Sequence, residues 1–566
     1  MAAAQTSRQS WRVELTVQQW PVHYLLLGLA TIRLTQGHQV VLNPVEQLDL
    51  RIEPSGVSSR NTHLAVKEVL ETGQARDLLD GTDHRVLHTD FLDTASFSGK
   101  ATSHMVRAVV ADYTNGRTIQ LTGDAFEPPS SFVASVTNDQ PHPSLEEVAK
   151  AAELAGFGRD AVAFLTMPPL YTEVFPNGTT HRILHIKARK KSETEYALFR
   201  VNMNTGEAQR DSVESSYPLA ACAAPMEGKG DLTPGGTSGQ ARVTISRGSE
   251  VLWTMEVIRP SISSGTDGSG VELLNVQYRG RTVLKRAHVP ILNVEYKEDH
   301  PPCGPTYRDW QDSEWSFFCD GTDVPGLKGF RKCTSRPKTL VDPPHTDGGN
   351  FNGVGFFVDG DEVTILSQIQ AGWYRYTSEW RFKADGTILP RFGFAGVLWP
   401  NECVCVAHHH HVYWRLDFDI ETASGNLVQE FNDPPLFGST NYHDKAYEIQ
   451  RPRDPSRKRH WEISNLRSGH KYALVPGPND GAADDFGVGD LWVLKFHGES
   501  GNEELDDRPI SSDRAQLEKF VTGEALRGED VVLWYAAHFM HVESHPHATD
   551  EGGHVVGPDL KPLKWD

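Results

Sequence analysis

The sequence has no excess of positive charge. Its 566 residues include 55 lysines and arginines against 75 aspartates and glutamates, so the formal net charge is -20. Proteins that bind nucleic acids present a basic surface to the phosphate backbone, and this charge balance argues against such a partner. A negative surface is compatible with the attraction of small cationic substrates.

Long hydrophobic runs are also missing. The most apolar stretch near the start, Tyr24–Ile32, is far shorter than the roughly 20 residues of a membrane-spanning helix. We therefore predict a soluble chain with no membrane partner. Arg8 and Arg12 precede this stretch, as in a weak signal peptide, but a buried strand or helix is the favoured interpretation. The chain ends in Lys-Trp-Asp, which is not the peroxisomal tripeptide, so the compartment stays open.

Cysteine is scarce, since the chain has only 6 of them, and no disulfide framework is expected. Cys403 and Cys405 shortly precede the histidine run His408–His411, and a C-x-C-x2-H-x-H spacing is a candidate zinc site. Strand alternation argues against zinc, because odd and even positions face opposite sides unless a bulge intervenes. The alternative is that the two cysteines are small buried hydrophobic residues.

Turn residues and composition divide the chain into units. Residues 1–45 show no clear pattern, whereas residues 46–140 and 141–227 each mix strand-like runs with turns and predict two small α+β domains. Residues 228–240, rich in Gly, Ser, Thr and Pro, predict a linker. In residues 241–566 almost every apolar run is strand-like. The predicted fold class is therefore two small α+β domains followed by a large all-β antiparallel sandwich.

Two local elements of the small domains are well specified. Two alternating runs meet at Asn115-Gly116, a dipeptide typical of a tight hairpin turn. Residues 144–156 predict a helix, with Ser144 as its cap, glutamates in its first turn and Gly156 at its end.

Four consecutive histidines, His408–His411, begin an alternating run that predicts a strand. Side chains alternate across a strand, so His408 and His410 share one face and the other two share the opposite face. A His-x-His pair on one face can bind one metal ion through two imidazoles. The third ligand must come from elsewhere. His538 and His541 near the chain end are candidates, and the alternative for either is a half-buried structural histidine.

Seven blocks of the C-terminal portion follow one another in an order characteristic of a known family. They are residues 270–289, 371–388, 408–421, 459–465, 472–479, 490–496 and 528–541. Together these blocks resemble the catalytic domain of the copper-containing primary amine oxidases of the topaquinone type. The two α+β units resemble the two small preceding domains of that family more loosely. The resemblance implies the copper amine oxidase fold.

The resemblance also implies the copper ligands. In the family, Arg-Leu-Asp follows the His-x-His pair after four residues, and counting back from Arg415 selects His408 and His410. The third copper histidine of the family lies seven residues after the tryptophan of a Leu-Trp-Tyr run. Counting from Trp534 selects His541. Copper bound by these three histidines is the expectation.

The cofactor implied by the resemblance is topaquinone, which the family makes from a tyrosine in an Asn-Tyr-Asp/Glu sequence. Counting back from the acidic-Trp pair Glu379-Trp380 gives Tyr374 as its precursor. Trp373 and Arg375 stand where the family has the asparagine and the acid, which hold the quinone in a productive orientation. A copper-binding scaffold that forms no quinone is therefore the alternative function.

The family's catalytic base is an aspartate in a short loop, which residues 310–315 match. The resemblance makes Asp312 the candidate base, with Trp310 where the family often has a gating tyrosine. A base needs a position near the proton that it removes and a pKa raised by burial. The alternative is a solvated loop aspartate. Tyr296 resembles the tyrosine that hydrogen-bonds the quinone oxygen, although two more residues lie between it and Asp312 than in the family.

Three further acids match a peripheral calcium site found in some family members. Asp417, Asp419 and Asp530, with the carbonyl of Val531, supply the hard oxygen ligands that calcium prefers. Solvent-facing acids on a strand are the alternative.

As a whole, the resemblance implies oxidation of a primary amine by O2 to aldehyde, ammonia and hydrogen peroxide, usually in a homodimer.

Overall fold

The computed structural model describes most of the chain from residue 47 onwards. The described residues are 31–33, 39–41, 47–55, 66–71, 73–94, 103–124, 128–138, 140–141, 143–158, 161–175, 179–190, 192, 197–211, 239–264, 268–296, 306–397, 407–484, 487, 489–497, 517–541 and 555–565. Most of the N-terminal apolar stretch, most of the predicted linker and the cysteines of the candidate zinc site lie outside them.

The chain forms two compact units, Met1–Gln47 and Leu48–Asp566. In the first unit, β1 (Thr31–Arg33) pairs antiparallel with β2 (Gln39–Val41). The second unit begins with β3 (Leu48–Pro54), which lies in the range predicted as the first small domain but pairs with a strand of a large sheet.

A four-stranded antiparallel sheet and a short helix follow β3. The elements are α1 (Gly73–Leu79), β4 (His84–Thr94), β5 (Ser103–Asp112), β6 (Arg117–Asp124) and β7 (Val133–Thr137). The predicted hairpin is confirmed as β5–β6, with Gly116 in the left-handed region at φ 62°. A Cβ on Gly116 would lie 2.0 Å from the carbonyl oxygen of Thr180, so only glycine fits this turn.

The predicted capped helix is confirmed at the start of the next α+β unit. Its elements are α2 (Leu145–Leu154), β8 (Ala161–Val174), β9 (Thr180–Lys190), β10 (Ala197–Asn202) and β11 (Ala208–Asp211). Ser144 and Glu147 form a reciprocal capping box at the helix start. The Glu147 carboxylate also accepts from Arg182 of β9 at 2.8 Å and from the hydroxyl of Tyr113 at 2.7 Å. This buried carboxylate therefore ties the helix to β9 and to the β5–β6 turn.

In the rest of the described chain the regular structure is mainly strand, with long connecting loops. Its strands are β12 (Gln240–Arg247), β13 (Glu250–Ile258), β14 (Glu272–Tyr278), β15 (Arg281–Tyr296), β16 (Thr306–Arg308), β17 (Glu314–Trp315), β18 (Gly321–Asp323), β19 (Phe330–Cys333), β20 (Val354–Asp359), β21 (Glu362–Ala371), β22 (Tyr374–Lys383), β23 (Ile388–Gly396), β24 (His408–Phe418), β25 (Asn426–Phe431), β26 (Tyr442–Asp444), β27 (Ile449–Arg451), β28 (His460–Asn465), β29 (Lys471–Val475), β30 (Leu491–Lys495), β31 (Val531–His541), β32 (Val555–Val556) and β33 (Asp559–Lys564).

These strands build two large sheets. Within the described residues, one has the order β27-β30-β31-β24-β15-β14-β13-β12-β3, with β16 added to β15. The other has the order β18-β19-β20-β21-β22-β23-β33-β29-β28-β25-β26, with β17 on β21 and β32 on β23. Almost all pairs are antiparallel. The predicted fold class is confirmed, and the central strands β22, β24 and β31 are buried along most of their length.

The described residues contain one disulfide. Cys319 and Cys333, which are 14 positions apart in the sequence, form this disulfide, so the scarce cysteines still supply one cross-link.

Among the described helices, none combines the length and the apolar character needed to cross a membrane.

Candidate metal centre

The histidine run lies on β24, between β15 and β31 of the first large sheet. The register pairs His408 directly with His541 of β31, and Nε2 of His408 lies 3.3 Å from Nδ1 of His541. The ring of His410, two positions along the strand, has its centroid 4.8 Å from that of His408. All three imidazoles are buried. Strand alternation and register thus bring the three predicted ligands to one place.

Tyr374 approaches these histidines from the second large sheet, where it begins β22. Its hydroxyl lies 2.5 Å from Nε2 of His408, and its ring centroid lies 4.8 Å from that of His410, edge to face. The predicted cofactor precursor therefore directs its hydroxyl at the predicted metal ligands. The side chains of Phe394 and Phe539 close the same region with stacked rings 5.5 Å apart.

A small cavity adjoins this cluster. Its described lining is Tyr374, Phe394, Ala395, Gly396, His410, Phe539 and His541. The lining thus combines apolar side chains with the phenol of Tyr374 and the imidazoles of His410 and His541.

Tyr376 and Asp309 form a second link to the histidines, which the sequence analysis missed. The Tyr376 hydroxyl donates to the carboxylate of Asp309 and lies 3.3 Å from Nδ1 of His410. Asp309 is completely buried. Because Nδ1 of His410 faces Tyr376, Nε2 is the His410 nitrogen that would bind a metal. The only sequence signal for Asp309 was its place just before the predicted base loop.

The other predicted catalytic residues are placed differently. Asp312 is half-buried and accepts a hydrogen bond from Ser313 Oγ at 3.2 Å, and it is not among the described residues that line the cavity. Trp310 is completely buried. Tyr296 pairs through its backbone with His408 across β15 and β24. The structure thus brings Tyr296 next to a ligand strand.

No protein-family model and no curated protein matches the sequence. Solved structures do match the fold. A copper-containing benzylamine oxidase from Hansenula polymorpha superposes with a TM-score of 0.56 and 13% identity, covering 90% of this chain and 97% of that one. The lysyl oxidase PPLO of Pichia pastoris matches with a TM-score of 0.51 and 13% identity over 88% of each chain. The chain has the copper amine oxidase fold.

Within this fold, one of the two residues that flank Tyr374 points away from its ring and the other contacts it. Arg375 occupies the other face of β22, where its Nε donates to Asp347 at 2.8 Å and its guanidinium lies 3.8 Å from the ring centre of Trp315. Its charge is therefore neutralised away from the Tyr374 hydroxyl. Trp373 contacts Tyr374 edge to face, with ring centroids 5.9 Å apart, and confines the tyrosine ring.

The three predicted calcium ligands also come together. One carboxylate oxygen from each of Asp417, Asp419 and Asp530 lies within 4.8 Å of the others. Burial, with the charge of Asp417, raises the pKa of Asp530 to about 8, and burial with both neighbouring carboxylates raises the pKa of Asp419. Carboxylates that repel one another in a buried place fit a cation with hard oxygen ligands, and calcium matches that donor set.

This cluster predicts a pH-dependent stability. The raised pKa of Asp530 means that the folded chain holds a proton which the unfolded chain, with a pKa of about 3.9, releases. Without calcium, the contribution of Asp530 to the free energy of unfolding should be highest below about pH 4. It should fall as the pH rises through about 8. Bound calcium should remove that fall.

Thermal melts at several pH values, in calcium or in chelator, measure the effect. Asp530→Asn is the matched control, since an amide does not ionise, and it should lose both the fall and the calcium response. Identical melting curves of the parent in calcium and in chelator near pH 8 would contradict the calcium site.

Proposed function

We propose that the chain is a copper-dependent primary amine oxidase whose cofactor is topaquinone formed from Tyr374. The observation that supports this most directly is the 2.5 Å approach of the Tyr374 hydroxyl to Nε2 of His408, itself 3.3 Å from Nδ1 of His541. Copper would be held by these two histidines and His410. Imidazoles suit copper, and buried neutral rings supply lone pairs without added charge.

Copper and topaquinone, when bound, would supply the two-electron oxidation of the amine and the return of those electrons to O2. Overall, one primary amine, O2 and water give one aldehyde, ammonia and hydrogen peroxide. The cavity beside Tyr374 would receive the amine, and its aromatic wall, which includes Phe394 and Phe539, would exclude water. The net charge of -20 would favour the approach of cationic amines.

The proton of the substrate needs an acceptor, and Asp312 is our proposed base. The support is the match of its loop to the base segment of the family. Asp309 has a different proposed role. It holds the Tyr376 hydroxyl, which in turn orients the ring of His410. Asp309 therefore acts as a positioning residue for a metal ligand.

Asp312→Asn is expected to lower turnover by roughly 10²–10⁴-fold with copper still bound, because an amide cannot accept the α-proton. Steady-state hydrogen peroxide release and copper analysis measure the two quantities. Asp309→Asn is the comparison variant: a positioning role predicts weaker copper retention, which Asp312→Asn should not cause. Turnover of Asp312→Asn within about tenfold of the parent would exclude it as the base.

The test of the proposed function as a whole combines a redox stain for protein-bound quinone with amine-dependent hydrogen peroxide release. The protein is loaded with copper in air, and Tyr374→Phe serves as the control that cannot form the quinone. Staining and peroxide in the parent, absent from the control, are expected. No stain in copper-saturated parent protein would contradict the proposal.

One observation favours a second function, a copper-binding scaffold without a quinone. Trp373 and Arg375 replace the polar flanks that orient the quinone, and Trp373 packs against the Tyr374 ring. A negative quinone stain with full copper occupancy is the outcome that this alternative predicts.

A further inference from the structure

A second group of histidines lies on the face of β24 opposite the candidate copper ligands. His409 and His411 occupy that face, with ring centroids 5.8 Å apart. The register places Glu295 of β15 directly opposite His409. It places His538 of β31 directly opposite His411. Three neighbouring strands therefore present side chains with metal-binding chemistry to one side of the sheet.

Asp484, from the segment before β30, completes the group. Its Oδ2 lies 3.1 Å from Nδ1 of His409, and its Oδ1 lies 3.9 Å from Nε2 of His411. Oε2 of Glu295 lies 3.8 Å from the same nitrogen of His409. One ligand atom each of Glu295, His411 and Asp484 lies within 4.8 Å of the others. Ligand atoms around a tetrahedral ion with bonds of about 2.0–2.1 Å are roughly 3.3 Å apart, so these separations approach those of a bound ion.

The hydrogen bonds behind His411 prepare one of its nitrogens for a metal. Nε2 of His538 lies 3.0 Å from the carbonyl oxygen of Gly489, which can only accept, so this nitrogen carries a hydrogen. The same nitrogen lies 3.2 Å from Oδ1 of Asp490. When the ring carries only this one hydrogen, its Nδ1 accepts, and Nδ1 of His411, 2.8 Å away, donates to it. The lone pair of His411 then lies on Nε2, towards Asp484. Metal-bound histidines have this arrangement, with the other ring nitrogen as donor.

The backbone near Gly487 holds the group in place. The N–H of Gly487 donates to Oδ1 of Asp484 at 2.6 Å, which fixes that carboxylate beside the histidines. A Cβ at Gly487 would lie 2.5 Å from Nδ1 of His411 and 2.8 Å from Nδ1 of His538. Any larger residue would therefore push the histidine pair apart.

We propose that this cluster is a second metal site, separate from the copper site, that binds one Zn²⁺ ion. Three of its ligands are Glu295, His411 and Asp484, whose ligand atoms lie within 4.8 Å of one another. The fourth is His409, which lies beside the carboxylates of Glu295 and Asp484. Two imidazoles and two carboxylates are a donor set that zinc accepts in tetrahedral geometry. The side chains of His409, Glu295 and Asp484 are 30%, 35% and 27% exposed, so an ion can enter from solvent. The bound ion would join β15 and β24 to the segment before β30, whether or not a quinone forms.

The test is metal analysis of copper-saturated protein after titration with Zn²⁺ alone and removal of unbound metal. We expect about one zinc per chain in addition to the copper. Glu295→Gln and Asp484→Asn should each weaken zinc binding by more than about tenfold and leave the copper content unchanged. Glu250→Gln, an exposed glutamate of β13 in the same sheet, is the matched control and should bind zinc as the parent does.

A pair of histidine variants separates the two sites. His411→Ala should lose zinc and keep copper, whereas His410→Ala should lose copper and keep zinc. If His411→Ala fails to fold, as judged by circular dichroism, the partly exposed Glu295→Gln decides the question. Copper-saturated parent protein that takes up no zinc would overturn the proposal. Unchanged zinc uptake in both Glu295→Gln and Asp484→Asn would also overturn the proposal.

Discussion

His410→Ala is expected to remove most of the copper from the purified protein. His410 is one of three imidazoles at the site, and its Nδ1 already faces Tyr376, so its other nitrogen is the one left for the metal. Loss of an outer partner of a metal ligand costs roughly 10–100-fold in affinity, and loss of a ligand itself should cost more. Two remaining histidines, His408 and His541, are too few for tight binding. Metal analysis after loading and dialysis measures the effect.

The matched control is His411→Ala, the next residue on the same strand but on its opposite face. It should keep the copper, because strand alternation turns its ring away from the site. Unchanged copper in His410→Ala would exclude the ligand assignment. If the protein binds zinc instead of copper, and substitution of Cys403 and Cys405 removes that zinc, the cysteine-containing site is supported instead.

The second large effect concerns Tyr374. After copper loading in air, the peptide that contains Tyr374 is expected to show the mass increase of oxidation to the quinone. The hydroxyl of Tyr374 already lies at the histidines, and oxidation of the ring requires copper, oxygen and that approach. Tyr374→Phe lacks the hydroxyl, so it should bind copper and show no amine-dependent turnover. Mass spectrometry of the digested protein decides the first point and a peroxide assay the second.

Tyr376 provides the internal control for this experiment. Its ring lies 5.5 Å from that of Tyr374, yet its hydroxyl donates to Asp309. Tyr376→Phe should weaken copper retention, as Asp309→Asn does, because it removes the hydroxyl beside Nδ1 of His410. At full copper occupancy it should leave the oxidation of Tyr374 intact. An unmodified Tyr374 in protein with full copper occupancy would defeat the oxidase and favour the scaffold. Arg375 does not point at the Tyr374 hydroxyl, since Asp347 and Trp315 hold its guanidinium on the other face of the strand.

The sequence by itself determined the features that depend on local chemistry and on the two-residue alternation of side chains along a strand. The hairpin at Gly116 and the serine-capped helix follow from turn and capping residues that need no distant partner. The strand period of two separated His408 and His410 from the other two histidines of the run. The resemblance to the copper amine oxidases, through that family's spacings from Trp534 and Glu379-Trp380, then selected His541 and Tyr374. In the structure these two residues meet His408.

Only the tertiary structure decided which distant side chains meet those residues. Asp309 reaches Tyr376 across 67 positions of the chain, and Asp347 reaches Arg375 across 28. The cluster of Asp484 with the other two histidines depends on the order β15-β24-β31 and on the segment before β30. The physical reason is that sheet order and register are set by the packing of the whole core, which no local pattern encodes.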